Sequence, residues 1–288
     1  MSQTPPSCQV RAWEVDGSHL GGGHTLLMAI FNVTPDSFFD GGVYQAQDAF
    51  EARYQECLEQ NVDIIDLGAE SSRPGAASVS VEDEWARLEP AFNYLKSVNN
   101  KIPISIDTTK ASVADLALRA GATIVNDISA LTLDPEMPGV IIEHNASICL
   151  NHLRGTPRTM QVNPHYDDLM ADIIQDLGTQ IQKLLNLGLS QSKICVDPGI
   201  GFGKNLDHNM KLIWNLSQLD SLECPILMGM SRKSYIGQTP GLENSDRLVP
   251  SLGSALIAEM AGASILRVHD IKETREILTL VSEMRARS

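Results

Sequence analysis

The sequence predicts an alternating α/β chain closed as a (β/α)8 TIM barrel in a single domain, and three observations carry that prediction. Eight short apolar runs recur along the chain, stretches with helical spacing separate them, and no Ser/Pro-rich linker or charge run divides the 288 residues. Most of the runs are continuous rather than alternating, as a parallel strand requires when both faces of its sheet are covered. Such a barrel typically takes roughly 250 residues. An open doubly wound sheet would show fewer repeats and a Gly-rich turn after its first strand, and no such turn is present.

Residues 1–24 lack a strand–helix pattern and carry Gly21-Gly-Gly23, so they read as an N-terminal arm ahead of a barrel over 25–288. The strands are expected at Leu26–Phe31, Ile64–Leu67, Ile102–Ile106 and Thr123–Val125, then at Ser147–Leu150, Ile194–Val196, Pro225–Met228 and Ser264–Val268. Between them, Phe50, Tyr54, Cys57 and Leu58 fall on one helical face, as do Trp85, Leu88, Phe92 and Leu95, and Leu169, Ile173, Leu177, Ile181 and Leu184. Gly121, Gly188 and Gly262 stand where helix C-termini are expected, because glycine accepts the left-handed conformation that ends a helix.

Composition limits the function. A net charge of −14, from 36 acidic against 22 basic side chains, argues against nucleic acid or an anionic membrane as partner. No run is long enough to span a bilayer, no apolar signal core is present, and the expected location is cytoplasmic. The five cysteines, an odd count without a C-x-x-C, read as small core hydrophobes in a reducing compartment.

Each predicted strand exits onto polar groups. In order they are Asn32; Glu70 with Ser72 and Arg73; Asp107; Asn126-Asp127; Asn151-His152; Asp197; Ser231-Arg-Lys233-Ser234; and Arg267 with His269. The carboxyl ends of the strands are where barrel enzymes build their active sites. By chemistry the groups form two sets. Asp107, Asn126 and Asp197 suit a flat heterocycle whose edge alternates N–H donors with a carbonyl acceptor. Asn32, Arg267 and His269 suit a polyphosphate, with the asparagine able to bind a hard cation that accompanies it. Lys233 lies between the sets in strand order.

These residues resemble the dihydropteroate synthase family, the folate-pathway enzymes inhibited by sulfonamides. The matching motifs are Asn32-Val-Thr-Pro-Asp-Ser-Phe38 with Asp40-Gly-Gly42, Glu70-Ser-Ser-Arg-Pro-Gly75, Ile106-Asp-Thr108, Asn126-Asp127, Asp197-Pro-Gly-Ile-Gly-Phe-Gly-Lys204, Ser231-Arg-Lys-Ser234 and Arg267-Val-His-Asp270. The resemblance implies condensation of 6-hydroxymethyl-7,8-dihydropterin diphosphate with 4-aminobenzoate, giving 7,8-dihydropteroate and diphosphate, with Mg2+ on the diphosphate and a homodimer. It implies pterin contacts at Asp107, Asn126, Asp197 and Lys233, and diphosphate contacts at Asn32, Arg267 and His269, with Asn32 on the metal. Asp40, Ser72, Arg73, Pro74, Phe202 and Ser234 would surround the aminobenzoate and its loops, and Asp107, Lys233, Arg267 and His269 would carry the catalysis. A methyltetrahydrofolate-binding methyltransferase of the same barrel type would use the heterocycle set but have less use for Arg267 and His269.

Three departures from the family pattern stand out: Ser72 in place of threonine, Asn151 in place of a methionine that packs on the pterin, and Phe39 in place of a small residue. The loops after the first two strands, rich in Pro35, Gly41, Gly42, Pro74 and Gly75, are expected to act as lids that exclude water. Gly199-Ile-Gly-Phe-Gly-Lys204 resembles a phosphate loop but has Pro198 and Asn205 where a Walker A needs Gly and Ser or Thr. His19, His24, His144, His165 and His208 have no spaced partners and read as solvent-facing or capping; His152 reads as a support for the site.

Overall fold

The computed structural model describes residues 9–33, 43–71 and 78–287. It opens with a hairpin of β1 (Ala12–Val15) and β2 (Ser18–Gly21), followed by β3 (Leu26–Asn32), α1 (Val43–Glu59), β4 (Ile64–Gly68), α2 (Val81–Ser97), β5 (Ile104–Asp107), α3 (Ala111–Ala120) and β6 (Ile124–Asp127). The chain continues through α4 (Met137–Glu143), β7 (Ser147–Asn151), α5 (Leu169–Asn186), β8 (Ile194–Asp197), α6 (Leu206–Trp214), β9 (Leu227–Met228), α7 (Ser234–Gln238), α8 (Leu248–Met260), β10 (Ile265–Val268) and α9 (Ile271–Arg285). Each of the eight predicted strands is found, and Gly121, Gly188 and Gly262 all take positive φ after their helices.

The sheet runs β8-β7-β6-β5-β4-β3-β10-β9 with every pair parallel. It closes where Val196 bridges Ile226 and donates its N–H to the Pro225 carbonyl at 3.0 Å. β9 is only two residues long, so closure rests on this short seam.

Strand alternation separates two cores. Leu27, Ala29, Phe31, Ile65, Leu67, Ile104, Ile106, Ile148, Leu150 and Leu266 face the helices. Met28, Ile64, Ile124, Cys149, Cys195, Leu227 and Ile265 face the barrel axis. Two residues further along each strand, that inward parity leads to the candidate site.

The hairpin belongs to the inner core. Asp16 and Gly17 both have positive φ, the type I′ turn whose twist suits a two-residue hairpin loop. Trp13 is fully buried among the axial side chains and donates from Nε1 to the Lys193 carbonyl at 2.9 Å. Ser147 Oγ donates to the Glu14 carbonyl at 2.6 Å. The hairpin therefore caps the amino end of the barrel, where barrels carry stability rather than chemistry. Trp13→Ala is expected to cost about 3–5 kcal/mol. Urea unfolding measures it, and a loss below about 1 kcal/mol would refute the capping role.

Candidate active site

Asp107, Asn151 and Asp197 end β5, β7 and β8, and Asn126 is the penultimate residue of β6, all with the inward parity of Ser105, Ile124, Cys149 and Cys195 below them. Asn32 ends β3 with the parity of Met28, and Arg267 stands two residues beyond inward-facing Ile265 on β10. The strand-end prediction therefore holds as geometry: these side chains share one ring at the carboxyl end of the barrel.

Arg267 is the hub. Its Nε donates to Asp66 Oδ2 at 2.6 Å and its Nη2 to Asp107 Oδ2 at 2.6 Å. Asn126 Nδ2 donates to the same Asp66 oxygen at 3.3 Å. Burial opposes the guanidinium charge, but the two carboxylates more than offset it and hold the pKa above the ordinary arginine value. Burial pushes Asp107 up to about 7, with Arg267 pulling it back down. The two chemical sets expected from the sequence thus share an ion pair: Asp107 and Arg267 fall in different sets by residue type but touch in the fold.

Asp197 stands at the end of β8, with β9 between it and Arg267 on β10. Its Oδ1 accepts the Gly199 N–H at 2.7 Å, which leaves Oδ2 toward Gly229. A Cβ at residue 229 would lie 3.4 Å from that oxygen, 3.9 Å from Arg267 Cδ and 4.0 Å from Lys233 Nζ, so glycine lets the three groups converge. Burial raises the Asp197 pKa, opposed chiefly by Lys233. Burial lowers Lys233 to about 8, against the pull of Asp197. Lys233 Nζ also donates to the Ile200 carbonyl and lies 4.3 Å from the centroid of the Phe202 ring. Gly199, at φ +77, packs so closely that a Cβ would fall 1.9 Å from the His152 carbonyl oxygen, which fixes a glycine there.

His269 follows β10. Ser231 Oγ accepts its backbone N–H at 3.2 Å and lies 3.1 Å from its Nδ1, which anchors the ring. Burial, reinforced by Arg267, lowers its pKa to about 4. The ring is neutral at pH 7. Ser234 is exposed at the start of α7. Asp40, Ser72, Arg73 and Pro74, together with Phe39 and the two expected lids, lie outside the described residues.

Two groups were not legible as site residues. Asp66 sits inside an apolar run rather than at its end, yet it is fully buried, holds Arg267 and Asn126, and leaves Oδ1 without a partner among the described residues. Its signal was a charge interrupting a buried strand. The second group underlies the loop after β4: Lys110 donates to both Glu70 and the fully buried Glu84, Thr108 Oγ1 donates to Glu84 at 2.8 Å, and Glu70 accepts the Val79 N–H at 3.2 Å. Those residues are scattered over 41 positions, from Glu70 to Lys110, and only the fold assembles them. At Asn151, Oδ1 is buried without a hydrogen bond among the described residues, so the departure from methionine leaves an unsatisfied amide oxygen in the wall there.

A closed parallel barrel that gathers carboxylates, an amide, an arginine and a lysine of lowered pKa at its carboxyl end is an enzyme scaffold with a site for a planar, polar substrate. Residues 28–269 match the family of pterin binding enzymes. The dihydropteroate synthase of Escherichia coli strain K12 is 42% identical over 265 residues, covering 92% of this chain and 93% of that protein. The dihydropteroate synthase of Xanthomonas albilineans with 4-aminobenzoic acid superposes with a TM-score of 0.87 at 35% identity, over 97% of this chain and 99% of that one. The Burkholderia cenocepacia dihydropteroate synthase complexed with 7,8-dihydropteroate gives 0.85 at 35% identity, over 99% and 98% of the two chains. The chain belongs to the pterin-binding enzyme family and, within it, to the dihydropteroate synthases.

Proposed function

We propose that the chain joins 6-hydroxymethyl-7,8-dihydropterin diphosphate to 4-aminobenzoate, releasing diphosphate and 7,8-dihydropteroate. One observation carries the reading at the level of residues: Asn126, Asp107, Asp197, Lys233 and Arg267 converge around Asp66 and Gly229 at the carboxyl end of the barrel. Asp197 and Asn126 offer an acceptor and an amide to the pterin edge, with Lys233 beside them. Arg267 and the His269 ring face the departing diphosphate. The C–O bond to diphosphate weakens first, and the aromatic amine then captures the electron-poor pterin methylene. An aniline nitrogen attacks without prior deprotonation, so the site needs leaving-group stabilisation and positioning more than a general base. Asp107 offsets positive charge that develops on the pterin.

Mg2+ fits this site as a companion of the substrate. Among the described residues no cluster of three His, Cys, Asp or Glu side chains could hold a metal. Asn32 presents a hard amide oxygen from the end of β3, and Mg2+ commonly completes its shell with phosphate oxygens and water. When bound, the ion would neutralise diphosphate charge.

The direct test is diphosphate release from dihydropterin diphosphate and 4-aminobenzoate, run with and without Mg2+. Release that depends on 4-aminobenzoate is the expected result. Absence of that dependence would overturn the reading, and dependence on Mg2+ separates the metal's contribution.

The same reading includes a homodimer and a cytoplasmic location. Exposed Met210 and Trp214 on α6 border a groove of about 600 Å3 that also contains Ile213, Leu242 and, on α8, Pro250 and Ile257. A second copy of this face is the proposed occupant. A Met210→Arg, Trp214→Arg double variant is expected to sediment as a monomer where the parent sediments as a dimer; a parent that is monomeric at micromolar concentration would remove the proposal. Among the described residues no helix is long and apolar enough to cross a membrane, and Cys57, Cys149, Cys195 and Cys224 are free and buried. The division into an arm at 1–24 and a catalytic domain at 25–288 is kept as an organisational proposal, with the β1–β2 hairpin as the arm's contribution to the barrel floor.

A further inference from the structure

The loop after β8 is held by more side chains than its glycine content suggests. Four consecutive carbonyl groups each accept from a different donor: Ile200 from Lys233 Nζ, Gly201 from Gln161 Nε2 at 2.6 Å, Phe202 from Lys204 Nζ at 3.0 Å, and Gly203 from Tyr166 Oη at 2.9 Å. Lys204 is the unusual member. It is 2% exposed, a degree of burial that lysine rarely reaches without an ionic partner, and among the described residues it forms no salt bridge. Its second contact is His152 Nδ1 at 3.0 Å. His152 Nε2 in turn lies 3.1 Å from Asp176 Oδ2. With Nδ1 accepting from Lys204, the ring proton sits on Nε2 and donates to Asp176. A line of hydrogen bonds therefore runs from the loop through Lys204 and His152 to Asp176, which is 51% exposed on α5.

The peptide at the inner end of this line is the one whose side chain supports Lys233. The Phe202 ring centroid lies 4.3 Å from Lys233 Nζ. Lys204 thus holds the Phe202 backbone from behind while the Phe202 ring meets Lys233 at the mouth. Lys204 cannot be replaced in this role by the loop's own amides, since the Gly201 N–H is committed to Asn209 Oδ1 at 2.8 Å and the Phe202 N–H to the Gly199 carbonyl at 3.0 Å.

We propose that Lys204 is a positioning residue: through the Phe202 carbonyl it sets the Phe202 ring beneath Lys233, and the His152–Asp176 pair supplies the tautomer that keeps Lys204 aimed at that carbonyl. The substrate consequence rests on the proposed function: Lys233 is read as a pterin contact and Phe202 as an aminobenzoate neighbour, so both substrates feel the displaced ring. It gives the lysine of the glycine-rich loop a use that involves no phosphate.

The test compares Lys204→Met, which keeps the volume and removes the donors, with Asp176→Leu and Asp176→Asn at the exposed end. Lys204→Met is expected to raise KM for dihydropterin diphosphate about tenfold, the loss of roughly one buried hydrogen bond, and KM for 4-aminobenzoate with it, while kcat stays within about twofold. Asp176→Leu is expected to give the same rise in KM at unchanged kcat, and Asp176→Asn, which retains an acceptor for His152, to restore the parent values. A readout independent of turnover is the acylation rate of Lys233 by acetic anhydride, mapped by peptide mass, which should rise severalfold in Lys204→Met and Asp176→Leu alone. A purely structural lysine would lower kcat as well as raise both KM values. Equal behaviour of Asp176→Leu and Asp176→Asn in Lys233 acylation would overturn the proposal, and this pair decides it even where Lys204→Met fails to fold. A parent protein that does not turn over the pterin substrate would sink the functional reading, while the Lys233 acylation rates still judge the positioning claim.

Discussion

Arg267→Ala is expected to lower kcat/KM by about 10²–10³-fold, the loss typical of one preorganised donor to a developing anion. It should also destabilise the fold. Arg267 is the partner of Asp66, which is fully buried, and of Asp107, so its removal leaves two carboxylates without their cation. Breaking such a pair from one side costs about 3–5 kcal/mol, because the charge left behind has lost its water without keeping its partner. Asp66→Asn isolates the positioning component. The amide still offers Arg267 Nε an acceptor but removes one of the two negative charges on the guanidinium. The expected result is a smaller fall in kcat/KM, about tenfold, with the barrel intact by circular dichroism. The measurement that decides is the pattern of constants. Should Arg267→Ala weaken only 4-aminobenzoate binding, with turnover and diphosphate affinity intact, Arg267 would not serve the leaving group.

That Asp66 belongs to this unit shows where local reading of the chain stops. The eight strands were legible because apolar runs ending in a polar residue are a local signal, and the same signal marked Asp107, Asn126 and Asp197. Asp66 gives a different one. It lies mid-run, and its meaning depends on facing the axis with Ile64 rather than the helices with Ile65, a parity fixed only by barrel closure. The contact between Asp107 on β5 and Arg267 on β10 is non-local in the same way: β3 and β4 stand between those strands in the sheet. Sorting by residue type put the two in separate sets, since nothing local records which charges face each other across a barrel.

The histidines show the reverse. His208 was expected to face solvent or cap, and its Nδ1 accepts the Asn205 N–H at 3.4 Å while Asn205 Oδ1 accepts the His208 N–H at 2.9 Å, a reciprocal cap at the start of α6. That role is decided within three residues and so is visible in sequence. The β1–β2 hairpin lay between these cases. Asp16-Gly17 and the alternation of Trp13 and Val15 are local signals, but four-residue strands are too short to stand out beside eight buried ones.

The pH profile of kcat/KM follows from two groups on facing walls of the mouth. Asp107 is pushed up to about 7 by burial and Lys233 down to about 8 by burial. The proposed chemistry needs Asp107 ionised, to offset charge on the pterin, and Lys233 protonated, to remain a donor beside Asp197. Activity therefore rises with pH as Asp107 loses its proton near 7, and falls as Lys233 loses its own near 8. The expected curve is a narrow bell in the free enzyme, with kcat/KM down by roughly an order of magnitude near pH 6 and again near pH 9 relative to the maximum. Because the two groups interact, the limbs belong to the pair and are read as macroscopic values. Lys233→Arg separates the enzyme from the ionisation of the substrate's own phosphates: a guanidinium does not titrate in this range, so the alkaline limb should move beyond pH 9 while the acid limb stays. An alkaline limb unchanged in Lys233→Arg would assign that ionisation elsewhere, and a flat profile between pH 6 and 9 would remove both groups from the rate-determining protonation states.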